Sequence, residues 1–304
     1  MKLVHHADYF LPLPEGHSFP MAKYTLLLRY LLERGLAERR QIVEPAELDL
    51  AAARRVHTAE YLHKLTTAGL SREEERRLGV PWSPRLLRRS RLASQGTLDA
   101  AGFALTEGLA GNLAGGTHHA FADRGEGFCV LNDVAIAIRT LQADGRIARA
   151  LVIDLDVHQG NGTAAIFDGD ASVFTFSIHG ERNYPALKQR SSLDIALPDG
   201  TDDAQYLRAL EAHLPDVLDR FAADVVFYLA GVDVAAGDRY GRFVLSDAGI
   251  SRREQYVIET VRGCGLPLAV LLAGGYAHSA ERTAALHTLV FEQCRRYEAR
   301  GAAA

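Results

Sequence analysis

The chain has 304 residues, 48% of them hydrophobic and 24% charged, and its 34 Lys and Arg against 38 Asp and Glu give a formal net charge of −4. That balance implies no general surface for nucleic acid or another polyanion, and no apolar run approaches the roughly 18 residues that a membrane-spanning helix needs. Three widely spaced cysteines, Cys129, Cys264 and Cys294, suggest neither a disulfide framework nor a CxxC pair, and MKLVHHADYF carries no signal-like apolar run, so the expected location is the reducing cytoplasm.

The N-terminal third is patterned for helices, with apolar residues at helical spacing over 20–35, 48–65 and 83–108. Arginines cluster over 72–92 (REEERRLGVPWSPRLLRRSRL). Their interleaved glutamates predict a solvated helix face rather than a basic patch. A glycine-flanked loop, GGTHHA (115–120), then leads to a helix predicted to start near Asn132. Beyond it, short apolar runs at 148–156, 171–178, 224–233 and 267–276 read as buried strands. Amphipathic helical patterns at 202–222 and 253–263 alternate with them. Strands apolar on both faces and alternating with helices predict an α/β fold with a central, mainly parallel sheet flanked by helices. No repeat or linker divides the chain, so one domain over 1–304 is expected, with a frayed tail at 300–304.

In such a fold the chemistry gathers where strands end. The stretch 151–163 reads LVIDLDVHQGNGT. Asp154 and Asp156 are two apart and project to one side of an extended strand, and His158 continues the spacing into a Gly-rich loop. Two carboxylates and an imidazole at a buried strand end are costly without a compensating cation. Asp and His donors suit zinc, and also Fe(II), Co(II) or Mn(II). Asp233 ends the next long apolar run and supplies a third ligand. Three protein ligands with an open position describe a catalytic site rather than a structural one. A single strand-end Asp is more often a helix cap or ion-pair partner, but D-x-D-x-H-x-G-N-G joined to a second such Asp is a far more specific signal.

His118 and His119 stand on the strand-to-helix loop at the expected ligand edge. A hydrolytic water needs a base near neutral pH and a leaving amine needs an acid, and histidine suits both tasks. Tyr276 follows Gly274 and Gly275 at another strand end, where its hydroxyl would donate to a developing oxyanion. Each feature alone also fits a bland role, a solvated histidine pair or a tyrosine capping the core.

Together these residues resemble the zinc-dependent histone deacetylase family of the arginase–deacetylase fold. The resemblance runs from about Val4 to Leu289. It rests on LPLPEGHSFPMAKY (11–24), RRVHTAEYL (54–62), GGTHHA, GFCVLND (127–133), VIDLDVHQGNGT (152–163), LAGVDVAAGDRYG (229–241) and LAGGY (272–276). DLDVHQGNG and AGDRYG look most like the class IV branch and its bacterial relatives. The resemblance implies that Asp156, His158 and Asp233 bind the metal and that His119 is general base and then acid. It pairs His118 with Asp154 and His119 with Asn161, and gives Tyr276 the carbonyl oxygen. It implies a narrow substrate tunnel walled by Phe128 and Tyr184, with Gly127 and Gly274 shaping it. It also implies a structural K+ or Na+ held by carbonyls of Asp154, Asp156 and His158 with Ser177 and Ile178. An Asn partner raises a histidine's pKa less than Asp would, which favours a neutral base.

The implied activity is metal-dependent removal of an acyl group, acetyl or longer, from a lysine side chain or a related amine. The implied partners are acylated lysine peptides or proteins, with acylpolyamines and small acyl-amines as alternatives. The class IV likeness keeps long acyl groups in view. GVPWSP (79–84) offers no clear match for the charged loop residue that grips peptide backbone in class I enzymes, and the family's exit-channel arginine has no clear match either, with Lys23 a weak candidate. A dinuclear ureohydrolase on the same fold would need carboxylates at Gly160 and Ala235, where neither residue ligates. A non-catalytic acyl-amine binder would be expected to lack a ligand, the base or the tyrosine, and none is missing.

Overall fold

The computed structural model describes residues 1–301. Eight strands form one sheet, all in parallel: β1 (Lys2–Val4), β2 (Ile42–Val43), β3 (Leu109–Asn112), β4 (Ala150–Asp154), β5 (Val173–Gly180), β6 (Leu193–Leu197), β7 (Val225–Leu229) and β8 (Leu268–Leu271). Their order across the sheet is β2-β1-β3-β8-β7-β4-β5-β6. The four predicted strands are β4, β5, β7 and β8. β1, β2, β3 and β6 carry little of the apolar signal. The first three span only two to four residues, β3 reads LAGN, and β6 (LDIAL) is only partly buried at the sheet edge.

The buried strands are apolar throughout because the sheet is covered on both faces. Leu151, Ile153, Val226 and Tyr228 face one core; Ala150, Val152, Val225 and Phe227 face the other. The second core is closed by α5 (Pro84–Glu107) and α6 (Asp133–Ala143), with Ile166 of α7 (Asn161–Ile166) packed against it. The first is covered by α1 (Lys23–Glu33), α8 (Asp203–Arg220), α9 (Asp247–Gly263) and α10 (Ala280–Gly301). Pro84 opens α5 without losing a hydrogen bond, since the first helical N–H has no partner within the helix. The Ser83 side chain caps it, accepting from the Leu86 N–H at 3.1 Å.

Three expectations need correction. The pattern at 48–65 is two helices, α2 (Leu50–Ala53) and α3 (Ala59–Thr66), with Thr58 capping the second. The break turns His57 inward, where its Nε2 accepts from the Asn132 N–H at 3.0 Å. Burial holds this imidazole down at about 4, as a neutral acceptor requires. The arginine stretch is not a uniformly solvated face. It folds into α4 (Arg72–Leu78) and the start of α5, and Arg89 is buried with its Nε donating to the Tyr9 carbonyl at 2.8 Å. Of the tail expected to fray at 300–304, Arg300 and Gly301 continue α10, and 302–304 lie outside the described residues. Among the described residues no helix is long and apolar enough to cross a membrane.

Candidate active site

β3, β8, β7 and β4 are consecutive across the sheet, so the loops leaving their carboxyl ends converge. The loop after β3 carries His118 and His119. The loop after β8 carries Gly274 and Tyr276, that after β7 carries Asp233, and the β4 end carries Asp154, Asp156 and His158. Sequence distance therefore collapses into one crevice.

The predicted strands at these points end early. β4 stops at Asp154 and β7 at Leu229, short of Asp156 and Asp233. There, carboxylates replace carbonyls as the acceptors of backbone N–H groups. Asp156 N–H donates to Asp154 Oδ1 at 3.2 Å, Val157 N–H to Asp233 Oδ1 at 3.0 Å, and Gly274 N–H to Asp156 Oδ2 at 2.7 Å. One oxygen of Asp156 and one of Asp233 is thus anchored, and the other is turned to His158. Its Nδ1 lies 2.9 Å from Asp156 Oδ1 and 3.2 Å from Asp233 Oδ2.

These separations suit a divalent ion, since tetrahedral donors at about 2.0–2.1 Å from a metal stand roughly 3.3 Å apart. Asp233 Oδ2 is buried with no hydrogen-bond partner. Burial, and then the Asp156 charge, push the Asp233 carboxyl upward against the partial relief that the His158 ring gives, as expected where negative charge is only partly compensated. Asp156, His158 and Asp233 form the one cluster of three or more His, Cys, Asp or Glu groups suited to a metal among the described residues. Gly274 has a steric reason to be glycine: a Cβ there would stand 2.0 Å from Asp233 Oδ2 and 2.5 Å from Asp156 Oδ2. Gly274→Ala is expected to weaken metal binding about 10–100-fold, the range for disturbing ligand orientation. Metal titration of the apoprotein measures it, with circular dichroism as the folding control; wild-type affinity would show that the carboxylates do not need this close approach.

The two histidines are buried side by side, ring centroids 4.1 Å apart. His118 Nδ1 meets Asp154 Oδ2 at 2.7 Å, and His119 Nδ1 meets Asn161 Oδ1 at 2.6 Å. Their electrostatics diverge. Burial pushes the His118 imidazole down, but Asp154 and Asp156 outweigh it and hold it up at about 9. Burial, then the charges of His118 and His158, push His119 well below its ordinary value. Tyr276 is held well above the usual phenol range by burial and by Asp156 and Asp233, so it stays a neutral donor.

Above this floor opens a cavity of about 300 Å³ lined by His119, His158, Tyr276, Gly127, Phe128 and Tyr184, with Tyr240, Arg77 and Gly79 at its sides. Phe128 has a positive φ of 69°, and Gly127, at φ 54°, lies so close to His119 that a Cβ would sit 2.6 Å from its Cδ2. Gly274 does not line this tunnel. It borders a second, inner cavity of about 30 Å³ beside His118, His119 and Tyr276, where Arg89 also stands. Lys23 is fully buried, reaches the Ala273 carbonyl at 3.2 Å, and lies 5.7 Å from the Tyr276 ring centroid. Ser177 is aligned with Asp154 in the β4–β5 register, with Ile178 next to it.

Several supporting residues were not singled out from sequence. Asp133 accepts from Gly116 N–H at 2.9 Å and Thr117 N–H at 2.7 Å, pinning the backbone just before the histidines. Asn132 caps α6 and donates to the Ala120 carbonyl at 3.0 Å, just after them. Asp238 accepts from Tyr276 N–H at 2.7 Å and Tyr240 N–H at 2.9 Å. All three lie inside motifs quoted for the resemblance, GFCVLND and AGDRYG, which was the available signal.

A parallel α/β sheet, a buried Asp–His–Asp set and a histidine pair at the foot of an apolar tunnel define a metal-site hydrolase. A model of the histone deacetylase domain matches residues 17–291. An uncharacterized protein of Picosynechococcus sp. is 46% identical over 293 residues, covering 96% of this chain and 98% of that one. Histone deacetylase 2 of Arabidopsis thaliana is 30% identical over 297 residues, covering 94% of this chain and 77% of that one. Among solved structures, the HD domain of HDA15 superposes with a TM-score of 0.81 at 25% identity, covering 96% of this chain and 90% of that one. The chain belongs to the histone deacetylase family and is a hydrolase of amide bonds.

Proposed function

We propose that this enzyme removes a short acyl group, acetyl foremost, from the side-chain amine of lysine in a peptide or protein. The observation that carries the reading is the pair of cavities: a slender aromatic tunnel of about 300 Å³ ending beside His119, His158 and Tyr276, and an inner space of only about 30 Å³. The tunnel suits an alkyl stem. The inner space suits a group the size of an acetyl methyl, with room for about two waters and none for a long chain. The small inner space favours short acyl groups over the long ones that the class IV likeness kept in view. An acylpolyamine would bring a further ammonium to the cavity, where the charged lining residue is Arg77, paired to Glu73 at 3.1 Å, and no lining residue is a carboxylate. Acyl-lysine is therefore favoured over the polyamine alternative.

Asp156, His158 and Asp233 would hold the ion, Zn2+ by donor type with Fe2+ as the alternative. When bound, the metal supplies Lewis acidity to the amide carbonyl and to the attacking water. His119, neutral and with Asn161 on Nδ1, takes the water's proton at Nε2 and later delivers it to the leaving amine. His118, paired with Asp154, presents a cationic ring to the negative charge that builds up between them. Tyr276 donates its phenolic hydrogen to the carbonyl oxygen. Phe128 and Tyr184 wall the lysine stem and, with Gly127, keep water from it. A K+ or Na+ on the carbonyls of Asp154, Asp156 and His158 with Ser177 and Ile178 would stiffen the β4 end. The free cysteines, two of them buried, suit a reducing cytoplasm.

The test is a turnover panel: acetyl-, butyryl- and octanoyl-lysine peptides, acetylspermidine and small acyl-amines, with elemental analysis of the same sample. Acetyl-lysine turnover at one metal per chain is expected. Preference for acetylspermidine would shift the reading to the polyamine alternative. Two metals per chain would revive a dinuclear ureohydrolase, and binding without turnover a sensor.

A further inference from the structure

Asn161 differs from an aspartate in having two unlike ends. An aspartate accepts with either oxygen, whereas an asparagine side chain turned over presents a donor where an acceptor was needed. Something must therefore choose the orientation of Asn161 against His119. Glu126 is placed to do so. It lies on a tight turn in which its N–H donates to the Cys129 carbonyl at 3.0 Å and its carbonyl accepts from the Cys129 N–H at 2.8 Å. Its side chain is only 12% exposed. Oε1 accepts from Asn161 Nδ2 at 3.0 Å and from the Tyr184 hydroxyl. Oε2 accepts from Arg124 Nε at 3.3 Å.

We propose that Glu126 is a positioning residue: it fixes the amide of Asn161 and, through it, the tautomer of His119. A carboxylate only accepts, so the Asn161 group facing it is the NH2. The opposite end, Oδ1, then faces His119 Nδ1 at 2.6 Å. Oδ1 only accepts, so Nδ1 carries the hydrogen and Nε2 is left bare toward the reacting centre. Without Glu126 the amide is free to turn. Its NH2 would then donate to Nδ1, the hydrogen would move to Nε2, and the ring could no longer take a proton there. Tyr184 and Arg124 hold the carboxylate in place, so a tunnel-wall residue and the base share one anchor.

The inference rests on His119 being the base, and its test does not depend on turnover. In ¹⁵N-labelled, metal-loaded full-length protein, long-range ¹H–¹⁵N correlation spectra report which ring nitrogen of each histidine is protonated, with His119→Ala assigning the signal. Wild type is expected to show His119 protonated at Nδ1. Glu126→Leu should lose that pattern or mix it, and Glu126→Gln, whose amide oxygen still accepts from Asn161, should restore it. In kinetics on an acetyl-lysine peptide, Glu126→Leu should lower kcat about 10–100-fold with KM nearly unchanged, the range for losing an orienting partner and short of the about 10⁴-fold of a fully wrong tautomer. It should add almost nothing on an Asn161→Ala background, because the two act as one unit. Tyr184→Phe controls for the lost wall contact. An Nδ1–H pattern unchanged in Glu126→Leu, or losses additive with Asn161→Ala, would overturn the proposal. Absence of acyl-lysine turnover in wild type, with the tautomer switch intact, would instead count against the proposed function alone.

Discussion

Tyr276→Phe is expected to lower kcat about 10²–10³-fold, or about 3–4 kcal/mol, with metal content unchanged. The change removes one oxygen and keeps the ring, which packs on Phe128, Tyr240 and Phe19 at centroid distances of 5.8, 5.1 and 5.9 Å. The tunnel wall is thereby preserved, and the Tyr276 backbone stays tied to Asp238. The hydroxyl is a neutral donor because burial and the nearby Asp156 and Asp233 keep the phenol from ionising. A donor of this kind has most effect as the carbonyl oxygen gains charge, so the loss should fall on kcat rather than KM. Steady-state kinetics with elemental analysis of the same sample decides it. A rate within about threefold of wild type would remove Tyr276 from the oxyanion role and leave it as a wall.

The parts of this site legible in sequence share a physical cause. Asp154, Asp156, His158, Asp233 and Tyr276 follow strands whose apolar runs are long, and charge at the end of such a run is conspicuous. β3, at four residues with a glycine and a buried asparagine, gave no such signal, so the histidine pair was placed through its glycines and the helix expected at Asn132. The sheet order that makes β3 neighbour β8 and brings the pair to the ligands lies in tertiary packing, which no local pattern encodes. Glu126, Asp133 and Asp238 act through backbone and amide hydrogens at single positions. A lone acidic residue in a loop looks the same in sequence whether it orients a catalytic group or faces water. Gly274 shows the converse limit. Its place by the active site was legible, but it proved to crowd the ligand carboxylates rather than shape the tunnel.

His119→Ala is expected to be the most damaging change that leaves the three proposed metal ligands in place. A single nitrogen is proposed to take a proton and later return it, so kcat should fall about 10³–10⁴-fold, toward the upper end of what general acid–base catalysis contributes. Burial and the adjacent charges of His118 and His158 keep this ring neutral. His118 is held protonated on Asp154 and is a poor substitute base. His118→Ala should therefore cost less, and the double variant little more than His119→Ala, because the pair acts on one transition state. The leaving group separates the two roles of His119. An amine must be protonated to depart, whereas an activated phenolic ester need not be. If His119 serves as both base and acid, His119→Ala should lose clearly less on an acetyl ester of a good leaving group than on acetyl-lysine amide. Equal losses on both would confine it to the base role. Retention of amide turnover would mean that the proton goes to another group, for which His118 is the nearest imidazole.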